Sequence, residues 1–404
     1  MGLALLAALA GTACTRFETG GPDAPAVALA EATPAILSDY VPTFELRVDE
    51  AAFADMLARF DEDVEVPLDV SMWRDGERVL APRPAEVQVK GNFSATFALK
   101  PLGIKLDDAV DNPAGRLFRV PALLPGQRLD RLKSLRLRNG GNDFTGTLLK
   151  DLAYGRVVAA SGLDVVAVYG EPAAAFVNGD FYGLLNLRSE GNGHGVSRLL
   201  GVDKDRLALA ELDEAPQFDV KDGDPERFRA LERAIRAGDV AYLRDAIDAS
   251  SFIDFAIVGT VFAAWDWPWK NVRLFSVDGA PFRFVVYDFD LACERHLDEP
   301  PVHHLRDREE NLISRAFEVL YADAGFRERL HARYLEVLDA DLLHPGRLES
   351  AFRELAATYE PVIALQTQRY GFPEGRGVWY LKLQEYLEAY QRRYDYLQAA
   401  RSWE

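Results

Sequence analysis

The sequence predicts an α+β protein, with antiparallel strands gathered in the first half of the chain and helices in the second. Three observations carry this expectation. Short runs of alternating apolar and polar residues recur between Phe44 and Leu187, several joined by Asp-Gly or Asn-Gly pairs that tolerate the positive φ of a hairpin turn. From Asp224 onward the apolar spacing changes to three and four residues behind Asp caps, which is helical. At 404 residues, with 49% apolar and 11% aromatic content, the chain can bury the core of two domains or lobes.

The net charge of −18 argues against nucleic acid as a partner, since that binding needs clustered Lys and Arg to displace counterions. At the N-terminus, Leu3 to Ala10 is an apolar run ending in Gly11-Thr-Ala-Cys14, too short to span a bilayer as a mature helix. It reads as a secretory segment whose small residues before Cys14 are similar to a bacterial lipoprotein cleavage box. Residues 1–14 are therefore expected to be a signal peptide, with Cys14 lipidated and the protein held to a membrane outside the cytoplasm, in a bacterial cell envelope. Gly11 and the lack of a preceding Lys or Arg depart from that pattern. Residues 15–40, rich in Ala, Pro and Gly, read as a flexible tether. With Cys14 lipidated, Cys293 has no partner for a disulfide within the chain.

Residues 41–190 are expected to form the β-rich part. Phe44 to Val48 alternates as a strand, Asp49 caps a helix to Phe60, and Val66 to Trp73 pairs through Asp75-Gly76 with a run ending at Val89. Lys90-Gly-Asn-Phe-Ser94 is a small polar loop, followed by Lys100 and by Lys105 on the next strand, an arrangement that can cover and clamp phosphates. Leu132 to Arg138 alternates Leu and Ser with Lys and Arg, Thr145 to Ala160 is helical, and strands are expected at 165–169, 173–177 and 182–187. Glu190 ends this part. Residues 191–404 are expected to be mostly helical, with Asp224, Asp239 and Ser251 starting helices and others at about 311–322, 324–340, 345–370 and 377–400.

One hairpin interrupts those helices. Asp266-Trp-Pro-Trp-Lys-Asn271 leads into a strand, Asp278-Gly279 turns, and a second strand ends in Asp288-Phe-Asp290. Folding it brings Asp266, Asn271, Asp288 and Asp290 to one end, a set of hard oxygen donors that suits Mg²⁺. The order also matches the kinase arrangement of a catalytic Asp, an Asn later in the same loop, and a metal-binding Asp after the next hairpin.

Taken together, these segments resemble the spore coat protein H (CotH) kinase family over roughly residues 44–300. The marks are Val89-Lys-Gly-Asn-Phe-Ser94 with Gly103-Ile-Lys-Leu106, Leu137-Arg-Asn-Gly-Gly-Asn-Asp143 with Lys150-Asp151, Val177 to Leu185 through Glu190, and the Asp266 to Asp290 hairpin. The resemblance implies a two-lobed, protein-kinase-like fold, with an antiparallel β-rich N-lobe and a mostly helical C-lobe. It also implies ATP with Mg²⁺ (or Mn²⁺) and transfer of phosphate to Ser or Thr of a protein outside the cytoplasm. Carried over, Asp266 orients or deprotonates the hydroxyl, and Asn271 and Asp288 hold metal, with Asp290 a further ligand. Lys105, then Lys100, are the lysines expected to pair with phosphate, and Lys90, Asn92 and Glu190 complete the nucleotide site. Lys90 and Phe93 replace an Arg and a Ser of the family pattern, Ala292-Cys293-Glu294 departs after Asp290, and Ala264 stands where an Asn is common.

Other readings of the same residues are a structural Ca²⁺ site at Asp288 and Asp290, a glycosidase carboxylate pair, and zinc at His296, His303 and His304, which lack matching Cys partners. The alternative of a different class is a non-catalytic, pseudokinase-like surface lipoprotein that serves as a binding module.

Overall fold

In the computed structural model, residues 27–106, 118, 120, 132–168, 170–213, 216–306 and 311–404 are described. The expected signal segment, Cys14 with its expected lipid, residues 15–26 of the tether expected over 15–40, and Tyr169 lie outside them. The first half of the chain runs through α1 (Pro34–Leu37), β1 (Thr43–Val48), α2 (Glu50–Ala58), β2 (Val66–Arg74), β3 (Glu77–Val89), β4 (Leu102–Leu106), β5 (Ser134–Arg138), α3 (Lys150–Ser161), β6 (Val166–Ala167), β7 (Gly170–Val177) and β8 (Asp180–Arg188). Asp49 caps α2 as expected, its carboxylate accepting from Ala52 N at 2.9 Å.

The expected antiparallel sheet is in fact a closed barrel, ordered β1-β2-β3-β4-β5-β8-β7. A parallel pairing of β1 with β7, from Thr43 opposite Ala174 to Leu46 opposite Val177, closes it. Closure follows from the alternation. Phe44, Leu46, Val70, Met72, Val87, Ile104, Leu135, Leu137 and Leu184 are all buried, and a barrel buries such a face without leaving an open edge. The turn pairs behave as their sequences require, with positive φ at Asp75 and Gly76, Asn178 and Gly179, and Asp278 and Gly279.

The second half contains α4 (Gly193–Leu200), β9 (Leu207–Leu212), β10 (Asp219–Asp222), α5 (Pro225–Ala237), α6 (Val240–Ala246), α7 (Ala249–Val261), β11 (Val272–Val277), β12 (Arg283–Val286), α8 (Pro301–Arg306), α9 (Leu312–Tyr321), α10 (Ala324–Asp339), α11 (Pro345–Tyr359), α12 (Ile363–Tyr370) and α13 (Arg376–Ala400). It is not only helical. A second sheet, ordered β10-β9-β11-β12-β6, runs through it. Leu207-Ala-Leu-Ala-Glu-Leu212 favours a helix by composition, yet it pairs along its whole length with β11, and that long-range ladder overrides local preference.

Two helix boundaries also differ from expectation. The cap of α7 is Asp248, whose Oδ1 accepts from Ser250 N and Ser251 N at 3.0 and 3.1 Å. Ser251 instead accepts from Phe284 N at 3.1 Å, tying α7 to the hairpin. The helix expected over 345–370 divides into α11 and α12. Both lie against the barrel. Gln366 Oε1 accepts from Leu184 N at 2.9 Å, and the Tyr359 hydroxyl donates to Leu185 O. In α13, Trp379 Nε1 donates to Thr147 O at 2.9 Å.

Candidate active site

The hairpin forms as its sequence predicts, with Arg273 opposite Val285 and Phe275 opposite Arg283. Its two ends hold Asn271 at φ 61° and Asp288 at φ 67°, left-handed conformations that Asn and Asp tolerate better than other residues with a side chain. Such positions cost about 1–3 kcal/mol each and persist where the surroundings over-determine them, often at functional sites. Asn271 Nδ2 donates to Asp266 Oδ2 at 2.9 Å, and Lys270 N donates to Asp266 O at 2.8 Å. The other carboxylate oxygen of Asp266, Oδ1, is buried and receives no donor. Burial, and after it the negative charge of Asp288, push the Asp266 carboxyl up to about 6.

Across from the hairpin stands β5. Its period of two sends Leu135 and Leu137 into the barrel and leaves Ser134, Arg136 and Arg138 on the outer face. Arg138 Nη2 donates to Asp288 Oδ1 and, at 2.6 Å, to Asp290 Oδ2. Its Nη1 lies 3.8 Å from Asp151 Oδ2, and Arg188 Nη1 reaches the same oxygen at 2.5 Å. Asp151, on the first turn of α3, also accepts from Phe289 N at 2.8 Å. Asp290 Oδ2 accepts from Asn142 N at 2.8 Å and from Asn142 Nδ2 at 3.3 Å, while its Oδ1 is buried without a donor. Three carboxylates and two guanidinium groups thus share one buried centre.

Gly141 makes this approach possible. A Cβ there would stand 2.0 Å from Asp290 Oδ2 and 2.2 Å from Arg138 Nη2, and the residue has φ 63°. The centre splits its two hairpin acids. Burial and the charge of Asp288 push Asp290 up, whereas Arg138 overcomes burial and holds Asp288 below the usual carboxylate range.

Each residue of the expected metal set has a partner within the protein. Asp266 pairs with Asn271, and Asp288 and Asp290 share Arg138. Among the described residues, no group of three or more His, Cys, Asp or Glu side chains is arranged to hold a metal. Arg138, a cation built into the chain, sits between Asp288 and Asp290 and offsets their charge. The donor chemistry still suits a hard cation, because Asp266 Oδ1 and Asp290 Oδ1 are buried carboxylate oxygens with no partner.

The other expected residues divide. Lys105 faces outward from β4 opposite Ser134, with Nζ 3.7 Å from Glu86 Oε2, so its charge is turned towards β3. Lys90 is half-buried near Arg136; burial, then the Arg136 charge, lower its affinity for a proton. Lys100 is elsewhere: its Nζ donates to Ala95 O at 2.6 Å and sits 4.2 Å above the Phe60 ring. Asn92 is exposed and leads into a short 3-10 turn, Phe93–Thr96. Asn139, next to Arg138, secures that loop by donating to Ser94 O at 2.9 Å and Leu99 O at 2.7 Å. Glu190 accepts from Ser134 Oγ and Asn192 Nδ2 and lies 3.9 Å from Arg136 Nε. It borders a cavity of about 120 Å³ with Ser134, His194 and Arg198. Sequence pattern assigned no role to Arg138, Arg136, Asp151, Arg188 or Asn142. The signal for the first two was present: a period of two over Ser134 to Arg138 places both cations on one face.

Barrel, second sheet and buried acid centre define a mixed α+β protein in which barrel-borne arginines meet hairpin-borne carboxylates. The family model described as CotH kinase protein matches residues 87–397, and the chain belongs to that kinase-like family. The match runs from β3 into α13 and so includes every residue of the centre. No curated protein matches the chain.

Proposed function

We propose that the protein is an ATP- and divalent-metal-dependent kinase of the CotH type, phosphorylating Ser or Thr of a protein outside the cytoplasm. The observation that carries this reading is the position of Asp266: a buried carboxylate, oriented by Asn271, with one oxygen unpartnered beside the Asp288 and Asp290 centre. Such a group is placed to accept a hydroxyl proton, while neighbouring acids and cations organise phosphate. Asp288, Asp290 and Asn271 would hold Mg²⁺, which would supply positive charge to offset that of the phosphates. Arg136 and Lys90, on the outer barrel face, bring positive charge to the phosphates, and the cavity at Glu190 continues that face. Lys105 stands one strand further away. The apolar run before Cys14 supports a lipid-tethered location.

Arg138 favours a second reading. Its guanidinium occupies the acids that a metal would use, as in a binding module of kinase ancestry. Thermal shift separates the two: the kinase reading expects ATP with Mg²⁺ to raise the melting temperature, and Asp288→Ala to abolish that rise. Labelled phosphate should enter acceptor protein with the wild type and not with Asp266→Ala. A chain that never responds to nucleotide is a binding module.

A further inference from the structure

The two acids that end the hairpin are held by a cation from the chain itself. Arg138 Nη2 donates both to Asp288 Oδ1 and to Asp290 Oδ2, so one nitrogen stands between the carboxylates. A metal ion shared by the two acids needs the same place. Solvent reaches it from one side: the Asp288 side chain keeps 21% of its exposure, whereas that of Asp290 keeps 1%.

The grip of Arg138 is incomplete. Its Nε is buried and has no acceptor. Both acids draw on Nη2 alone, and the paired N–H fork with which arginine best holds a carboxylate is not used. Nη1 lies 3.8 Å from Asp151 Oδ2, so a guanidinium that releases the hairpin still has an acid beside it. The rest of the centre does not depend on Arg138. Arg188 is buried with Nη1 2.5 Å from Asp151 Oδ2, and Asp151 accepts from Phe289 N, between the two hairpin acids. These contacts keep the hairpin docked when Arg138 lets go.

Charge favours an exchange. Fully ionised, Asp151, Asp288 and Asp290 against Arg138 and Arg188 leave the centre one negative charge. A divalent cation in place of Arg138 leaves none, and Coulomb attraction to the acid pair scales with that charge. We propose that Arg138 is a displaceable occupant of the acid pair, exchanged for a divalent cation when the site loads; the proposal rests on the kinase reading above. Arg138 thereby sets the metal affinity. The acids are free only in the fraction of molecules in which it has let go, and the apparent dissociation constant rises by the same factor.

The test is calorimetric titration of the full chain with MgCl₂ or MnCl₂ alone, at constant ionic strength. Arg138→Gln, which keeps a donor and removes the charge, should bind metal about tenfold more tightly than wild type. Adding Asp288→Asn to it should abolish that binding. Arg138→Lys keeps the charge and should stay within about threefold of wild type. Metal should also raise the melting temperature of Arg138→Gln more than that of wild type, because it restores the missing charge. Where Arg138→Gln unfolds without metal, MgCl₂ should refold it.

Equal or weaker metal binding by Arg138→Gln overturns the proposal, as does failure to refold in metal. Equal tightening in Arg138→Lys overturns it too, since loosened packing rather than lost competition would then be the cause. Tighter metal binding by Arg138→Gln, with no phosphate transfer by the wild type to any protein, keeps the exchange and removes the kinase. Transfer by the wild type with equal metal affinities keeps the kinase and removes the exchange, and neither metal binding nor transfer removes both.

Discussion

Arg138 and Asp288 meet across 150 residues of chain, one from the outer face of the barrel and one from the end of the hairpin. The same Nη2 holds Asp290, so a single guanidinium fixes where the hairpin docks on the barrel. A buried charge in such a centre contributes to specificity through what its loss leaves behind. Remove the cation, and Asp288 and Asp290 face each other in a site that burial has already made hostile to charge.

Arg138→Ala is therefore expected to lower stability by about 3–5 kcal/mol, the usual result of orphaning a buried partner. Adding Asp290→Asn should recover part of that loss, because the amide removes one of the two repelling charges. Urea unfolding of the four proteins in this cycle measures the coupling. Additive effects would mean that Arg138 and Asp290 do not act on each other.

Gly141→Ala tests the same junction by shape. The new methyl would have to displace Asp290 or Arg138 at a position already held at φ 63°. A destabilisation of about 1–3 kcal/mol is expected from the backbone conformation alone, and more if the acid pair is pushed apart. The melting temperature reports the first effect. On the proposed kinase reading, loss of the expected response to ATP with Mg²⁺ reports the second.

Local pattern makes the hairpins and most helices legible in the amino-acid sequence, because turn residues, caps and periodicity act over a few positions. The Asp278-Gly279 turn and the strands on either side need nothing else. Barrel closure is not legible there, since β1 and β7 lie more than a hundred residues apart and parallel pairing leaves no mark on either strand. The Ala-rich β9 is hidden for a similar reason. At the site, their oxygen donors mark out Asp266, Asn271, Asp288 and Asp290. The opposing cations carry no such mark, because in sequence Arg138 is one charge among several on a half-buried strand. Lys100 shows the converse: a lysine near a polar loop, but turned towards Ala95 and Phe60.

Asp143 is a buried acid whose role is architectural. It accepts from Thr147 N at 2.8 Å, Lys150 N at 3.0 Å and the Tyr386 hydroxyl at 2.8 Å, besides the Thr147 hydroxyl. These bonds explain why α3 begins at Lys150 rather than at Thr145: the preceding residues wrap around the carboxylate. Asp143→Ala should cost about 2–4 kcal/mol, more than a surface cap, since several buried donors lose their acceptor together. Asp151 follows one residue into α3, so the Asp143→Ala protein should also lose hydrogen-exchange protection at Phe289 N, which Asp151 accepts. Unchanged protection there would separate the cap from the acid centre.

Glu171 supplies a pH dependence away from that centre. It sits in β7 with Arg74 at 2.7 Å, but burial outweighs the ion pair and pushes its carboxyl from 4.5 up to about 7. The folded protein therefore binds a proton between about pH 4.5 and 7 that the unfolded chain releases. By linkage this contribution stabilises below about pH 4.5 and is lost as the pH rises through 7. Glu171→Gln cannot ionise and can still accept from Arg74. Its stability relative to wild type should rise by roughly 2 kcal/mol between pH 5 and pH 8. Urea midpoints at both pH values measure this difference, and a difference of opposite sign would show that the pair with Arg74 outweighs burial.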